Sequence, residues 1–190
     1  MAPNLRTFLP PPPTAPAPLP AIGDPAPELS PIDLGDGGPR VVAFLRHLGC
    51  PFAEATMRAA RELAAQPAGD LEVVAVVHAD APATEAWCRT VGGAGSVRLV
   101  MDEARLLYAD WSLGRSSVRH FAGARSLRAA LVLLRSGIRN TRAHGSRWQT
   151  AGTFAVDGQG RIAWRHLPEH AGDLPDLDAA ARAARGGARS

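Results

Sequence analysis

The chain has 190 residues, which suits one domain with a tail and leaves no room for two full domains. Apolar residues make up 46%, enough for a sizeable core, and no apolar run approaches the ~20 residues of a membrane-spanning helix. All 21 basic residues are Arg, so a Schiff-base or Walker-type lysine is excluded, and a net charge of +3 is too small to argue a nucleic-acid partner.

Residues 1–21 read as a disordered or polyproline-like tail, because eight of the first 20 residues are proline. This start has no apolar segment of the secretory type, and the expected location is cytoplasmic. The folded domain is expected over 22–185. Val41 to Arg46 is a short β-rich run bounded by glycines, which predicts a buried central strand. Ala53 to Gln66 carries Ala53, Met57, Ala60 and Ala64 at helical spacing, and Pro67 closes it. Leu71 to Val77 is a second buried strand. The resulting strand–helix–strand unit predicts a parallel pair with a right-handed crossover. A helix from Pro82 to Val91, a strand from Val97 to Met101 and a short helix around 103–110 follow. An Arg-rich helix is then expected over Ser126 to Arg135. Thr153 to Val156 and Ile162 to Trp164 flank Asp157-Gly158-Gln159-Gly160, a hairpin signature. The segment after Pro175 is set to form a last helix. The class is α/β, with a central mixed sheet flanked by helices.

Cys50 holds the best chemical position. It lies where a buried strand turns into a helix, and Pro51 fits the first helical position because its missing N–H would have no partner there. Cys50 is thus expected at the N-cap, facing unpaired N–H groups and the positive end of the helix dipole, both of which favour a thiolate. Arg46 and His47 are placed to add positive charge, or His47 to supply a proton. Glu54 would oppose the thiolate if it faced the sulfur.

Three stretches carry a family resemblance. Val42 to Phe52 resembles the strand and active-site turn of the thioredoxin-like superfamily, more narrowly the peroxiredoxin-like AhpC/TSA branch. Gly23-Asp24-Pro25-Ala26-Pro27 resembles the opening of redoxin domains. Trp148 to Asp157, with Gly160-Arg161-Ile162 and His166 to Asp173, is similar to that branch's C-terminal hairpin. The resemblance implies a thioredoxin-like fold and a thiol-dependent oxidoreductase acting on a peroxide or disulfide, with an external thiol as reductant. It implies catalytic roles for Cys50, Arg46 and His47, and places Pro51, Phe52, Gly152 and Thr153 around the substrate. No metal or organic cofactor is needed, and a homodimer is compatible with it.

The sequence also departs from that pattern. Ala53 stands where a Cys-x-x-Cys would have its second thiol, and His47 and Ala43 replace the usual hydroxyl and proline before the cysteine. Three outcomes fit. Cys50 acts alone through a sulfenic acid reduced by an external thiol. Cys88 resolves it, which needs the two Cα atoms within roughly 7 Å. Or the thiol chemistry is lost and the fold is a binding or accessory module.

Two further features are weighed. Ten Arg against three acids between residues 98 and 147 give a local excess of +7, which reads as a solvated basic face or as a seat for an anion. His166 and His170 have helical metal-ligand spacing, but Pro168 between them argues against a helix there.

Overall fold

The computed structural model describes residues 16–29, 38–67, 70–116 and 124–186. Most of the proline-rich tail, including Pro10 and Pro13, lies outside them. Residues 16–21 do not behave as tail. The Ala17 N–H donates to Ala109 O at 2.8 Å, Pro20 is buried, and the Arg165 guanidinium bonds to the Pro20 carbonyl. Gly23 N and Ile162 N then exchange bonds with Ile162 O and Asp24 O, so this segment docks along the far hairpin.

The elements run β1 (Arg40–Phe44), α1 (Pro51–Ala64), β2 (Glu72–Val77), α2 (Ala81–Thr90), β3 (Arg98–Met101), α3 (Leu106–Asp110), α4 (Ala124–Arg135), β4 (Gly152–Val156), β5 (Ile162–His166) and α5 (Leu177–Gly186). They form one five-stranded sheet in the order β3-β2-β1-β4-β5. β1 and β2 pair in parallel, as do β2 and β3, whereas β4 is antiparallel to both β1 and β5. The mixed sheet and the terminal hairpin match the sequence expectation. β1 ends at Phe44, two residues before the expected end at Arg46.

β1 and β2 are buried along nearly their whole length because both faces of the sheet are covered. Their side chains alternate between two cores. Val41, Ala43, Val73, Ala75 and Val77 pack with Met57 and Ala60 of α1, Trp87 of α2 and Ala180 of α5. Val42, Phe44, Val74 and Val76 pack with Tyr108 of α3, Trp111 and Phe154 on the opposite face. Phe44 meets Tyr108 edge-on at 5.1 Å between ring centroids, and Trp111 and Phe154 are 4.9 Å apart. Such pairs each contribute about 1 kcal/mol beyond their buried area.

Carboxylates satisfy free backbone N–H groups at the starts of α2 and α3. Asp80 caps α2 by accepting from Ala83 N at 2.7 Å. Asp102 accepts from Leu106 N and Tyr108 N at 2.9 and 3.1 Å, which ties α3 to the end of β3. No described helix is long and apolar enough to cross a membrane.

Candidate active site

Strand β1 delivers the chain to the carboxyl edge of the sheet, where a five-residue link, Leu45 to Gly49, turns it into α1. Cys50 is the N-cap of α1, in extended conformation (φ −77°, ψ 130°), with Pro51 in the first turn, as the Gly-Cys-Pro run predicts. Its N–H donates to His47 O at 3.2 Å and its carbonyl accepts from Glu54 N at 3.1 Å. The thiol is a free cysteine, 3% exposed. The first-turn N–H groups of a helix lack intrahelical acceptors, and they surround this position.

Gly49 makes the turn possible in two ways. Its φ is +85°, and a Cβ there would stand 2.4 Å from Arg142 O. The reason is a backbone strap: Leu48 and His144 form an antiparallel bridge (3.0 and 3.1 Å), and Thr141 N donates to Gly49 O at 2.9 Å. This strap pins the loop after α4 against the cysteine turn and brings in Arg147 and Trp148. Arg46 closes the arrangement by donating from Nη2 to Arg147 O at 3.2 Å.

Cys50 opens onto a cavity of about 300 Å³. Arg46, His47 and Arg147 form its polar wall. Phe52, Leu127, Ala130 and Trp148 form its apolar wall, with Ser126 and Asn140 beside them. No carboxylate lines it among the described residues. Glu54 is absent from the lining, and its carboxylate is held by Arg58 at 2.6 and 3.1 Å, so it does not face the sulfur as an unpaired charge.

His47 is 4% exposed, and neither ring nitrogen has a hydrogen-bond partner among the described residues. Burial, then the charges of Arg46, Arg147 and His78, hold its pKa well below 6.5. It is therefore neutral at physiological pH, with one N–H donor and one acceptor nitrogen, and the expectation that it adds positive charge is corrected. The charge comes from Arg46 and Arg147. Burial lowers the Arg147 pKa, the neighbouring Cys50 raises it and Arg46 lowers it again, and a guanidinium in this state remains a cation.

The structure separates two groups of residues that sequence put together. Gly152 and Thr153 pair with Phe44 and Ala43 inside the sheet. They line a smaller cleft, of about 20 Å³, which holds about one water and shares Arg46 and Phe52 with the cavity. Only Pro51 and Phe52 of the four expected substrate contacts reach the Cys50 cavity. A Cβ on Gly152 would stand 2.6 Å from Leu113, so that glycine serves packing.

Cys88 is the second cysteine. It lies in the last turns of α2, which runs from the carboxyl edge of the sheet back toward the start of β3. Its thiol is raised by burial, with Arg61 opposing. Arg61 grips Val91 O and Gly93 O at 2.6 and 2.9 Å. Arg61 stands 11 positions beyond Cys50, about 16 Å along the helix axis at 1.5 Å per residue. Cys50 thus caps the start of α1, whereas Cys88, on α2, lies by Arg61 toward the end of α1, and both are free thiols.

His166 and His170 do not share a helix. His166 ends β5 and faces the Asp173 carbonyl and carboxylate at 3.2 and 3.6 Å.

Arg147 and Trp148 were legible only as members of a basic loop. No local pattern ties them to Cys50, and only the Leu48–His144 bridge does so.

The sequence pattern of the AhpC/TSA antioxidant enzyme family matches residues 57–170, and Cys50 lies just ahead of the matched stretch. No curated protein matches the chain. Among solved structures, a peroxiredoxin-like protein from Aquifex aeolicus superposes with a TM-score of 0.60 at 18% identity, covering 87% of this chain and 86% of its own. A thiol peroxidase from Chromobacterium violaceum gives 0.58 at 13%, covering 92% of each. Peroxidoxin BcpB from Mycobacterium tuberculosis gives 0.56 at 15%, covering 87% and 96%. At such identities these likenesses speak for the fold, which is thioredoxin-like. With more than half of its length matched, the chain belongs to the AhpC/TSA antioxidant enzyme family.

Proposed function

We propose that the protein is a thiol peroxidase with a single reacting cysteine. The observation that carries this reading is the seating of Cys50 at the amino end of α1, on a cavity lined also by Arg147 and by His47, whose ring nitrogens have no partner among the described residues. The Cys50 thiolate attacks the terminal oxygen of a hydroperoxide. The O–O bond breaks, Cys50 becomes a sulfenic acid and the other oxygen leaves as an alcohol or water. Negative charge develops on the leaving oxygen. Arg147, Arg46 and the helix N–H groups are the donors that stabilise it. Neutral His47 suits the peroxide itself, since a hydroperoxide both donates and accepts one hydrogen bond. Because Cys88 stands at the other end of α1, the sulfenic acid is returned to thiol by an external thiol.

One observation favours a second reading, a binding module without redox activity: Cys50 is almost wholly buried, with no second thiol in its turn. The two separate in one experiment. The reduced protein is treated with an equimolar amount of hydrogen peroxide, and sulfenic acid is trapped with a dimedone-type reagent and mapped by mass. Labelling at Cys50 within seconds, absent in Cys50→Ser and retained in Cys88→Ser, is expected. No labelling over many minutes would remove the peroxidase reading.

A further inference from the structure

Helix α4 has two apolar faces, and only one is covered. Ala129, Ala130 and Leu133 pack on the core beside α1. Leu127, Leu131 and Leu134 recur at spacings of four and three residues, which puts them on one stripe about 10 Å long. They are 63%, 49% and 49% exposed. Val132, also exposed, stands beside them, and Leu174 joins it across a groove that Arg128 lines as well. Single exposed leucines need no cover. Here five of the ten large apolar side chains exposed among the described residues gather in one patch, which marks a contact surface.

The charge around this patch has one sign. Residues 124–147 contain six Arg and neither Asp nor Glu. Arg128 and Arg135 lie on α4 itself, and Arg139 and Arg142 follow in the loop, all four exposed. None of the four has an ion-pair partner among the described residues. The described lining of the groove holds no carboxylate, and Asp173 nearby is engaged by His166 and by the Glu169 N–H.

Three occupants differ in what they need from such a face. A second copy would set this arginine-rich helix against its own like, and the charges would repel. Protein partners are held chiefly at Trp, Tyr and Arg, with Leu and Val under-represented, and the apolar stripe here is Leu and Val alone. An anionic lipid surface needs Leu on one side of a helix and basic residues around it, with no acid among them.

We propose that α4 seats the protein on an anionic lipid surface. Leu127, Leu131 and Leu134 enter the boundary between headgroups and acyl chains, and the four arginines take the phosphates, which the guanidinium fork matches. Each Arg near such a surface strengthens binding by roughly fivefold, and salt screens the effect. The attachment uses neither Cys50 nor a peroxide, so it stands apart from the peroxidase reading.

The test mixes untagged full-length protein with sucrose-loaded vesicles, made of phosphatidylcholine with phosphatidylglycerol or of phosphatidylcholine alone. The vesicles are sedimented at about 0.05 M and about 0.5 M salt, where the screening lengths differ by roughly threefold. Binding to the anionic vesicles should be at least about tenfold tighter than to the neutral ones at low salt, and should be lost at high salt. Arg135→Gln combined with Arg139→Gln should weaken it by roughly 20-fold. Leu131→Gln combined with Leu134→Gln, at exposed positions and with native melting, should weaken it by roughly tenfold or more.

No sedimentation with the anionic vesicles would overturn the proposal, as would equal binding to the neutral ones. Full binding by the leucine variant would reduce the contact to adsorption of a basic protein and overturn it too. A concentration-dependent dimer in analytical ultracentrifugation, lost in the leucine variant, would assign the stripe to a second copy instead. None of these results bears on sulfenate formation at Cys50, so the peroxidase reading is tested separately.

Discussion

Replacing Gly49 by Ala strikes the joint that assembles the site. The residue is held at φ +85°, a region that costs an L-residue about 1–2 kcal/mol. The new methyl would stand 2.4 Å from Arg142 O and 3.0 Å from Thr141 O. Both are backbone atoms that cannot swing aside, so the strap must move, at a further cost of about 1–3 kcal/mol typical of overpacking. The two terms together predict a loss of about 3 kcal/mol. For a domain of this size that lowers the melting temperature by about 10 °C. Function should suffer beyond stability, because the strap seats Arg147 and Trp148 beside Cys50. Urea denaturation gives the first quantity. Cys50 sulfenate formation, measured well below the melting transition, gives the second. A Gly49→Ala protein within about 0.5 kcal/mol of the parent, a shift typical of unremarkable surface changes, and with unchanged Cys50 reactivity, would refute the claim that this close approach organises the site.

Other outcomes are expected. Arg147→Gln should slow peroxide attack on Cys50 by roughly tenfold or more, as loss of a partly buried charge beside the reacting atom implies, and stopped-flow sulfenate formation measures it. Cys88→Ser should leave sulfenate formation at Cys50 intact, and non-reducing intact mass after oxidation should show no intramolecular disulfide in the parent. His78 is fully enclosed, with Nε2 donating to Ser146 O at 3.1 Å and Nδ1 facing the Tyr108 hydroxyl at 3.3 Å, and burial lowers its pKa to about 4. The unfolded chain therefore binds a proton between pH 6.5 and 4 that the native state refuses. Stability is full above pH 6.5 and falls as the pH drops toward 4, by roughly 3 kcal/mol from this group alone. Urea midpoints at pH 7, 6 and 5 check the slope, and His78→Gln should reduce it, leaving the share of the likewise buried His47. A slope unchanged by that substitution would contradict the assignment.

The local elements of this protein were readable because each obeys a local rule. The run of Val41, Val42, Ala43 and Phe44 is apolar on both faces, as a strand covered on both sides must be. Gly49-Cys50-Pro51 announces a helix start with the sulfur at its cap, because proline fits only the first turn. Asp157-Gly158-Gln159-Gly160 announces the hairpin. The ends of elements were less legible. β1 stops at Phe44, since Leu45 donates to Val76 O beyond the regular ladder before the chain bends toward Cys50.

The composition of the site depends on approaches between distant segments, which no short-range pattern encodes. Arg147 and Trp148 reach Cys50 because Leu48 and His144 bridge backbone to backbone, and a bridge of this kind leaves no mark in side-chain chemistry beyond the glycine it requires. His47 could be seen in sequence, but its lack of charge could not, because it follows from burial together with three neighbours, two of them remote. Gly152 and Thr153 were drawn toward the site by family likeness, and the register of β4 on β1 places them in a small cleft next to the cavity, joined to it by Arg46 and Phe52. Whether Cys88 could meet Cys50 is not readable in sequence, because it depends on how α2 packs beside α1. Sequence alone determined that Cys50 stands at the start of a helix that follows a buried strand. Tertiary structure decided the charges, the unpartnered imidazole and the empty volume around its sulfur, because those are properties of packing between segments rather than of any one of them.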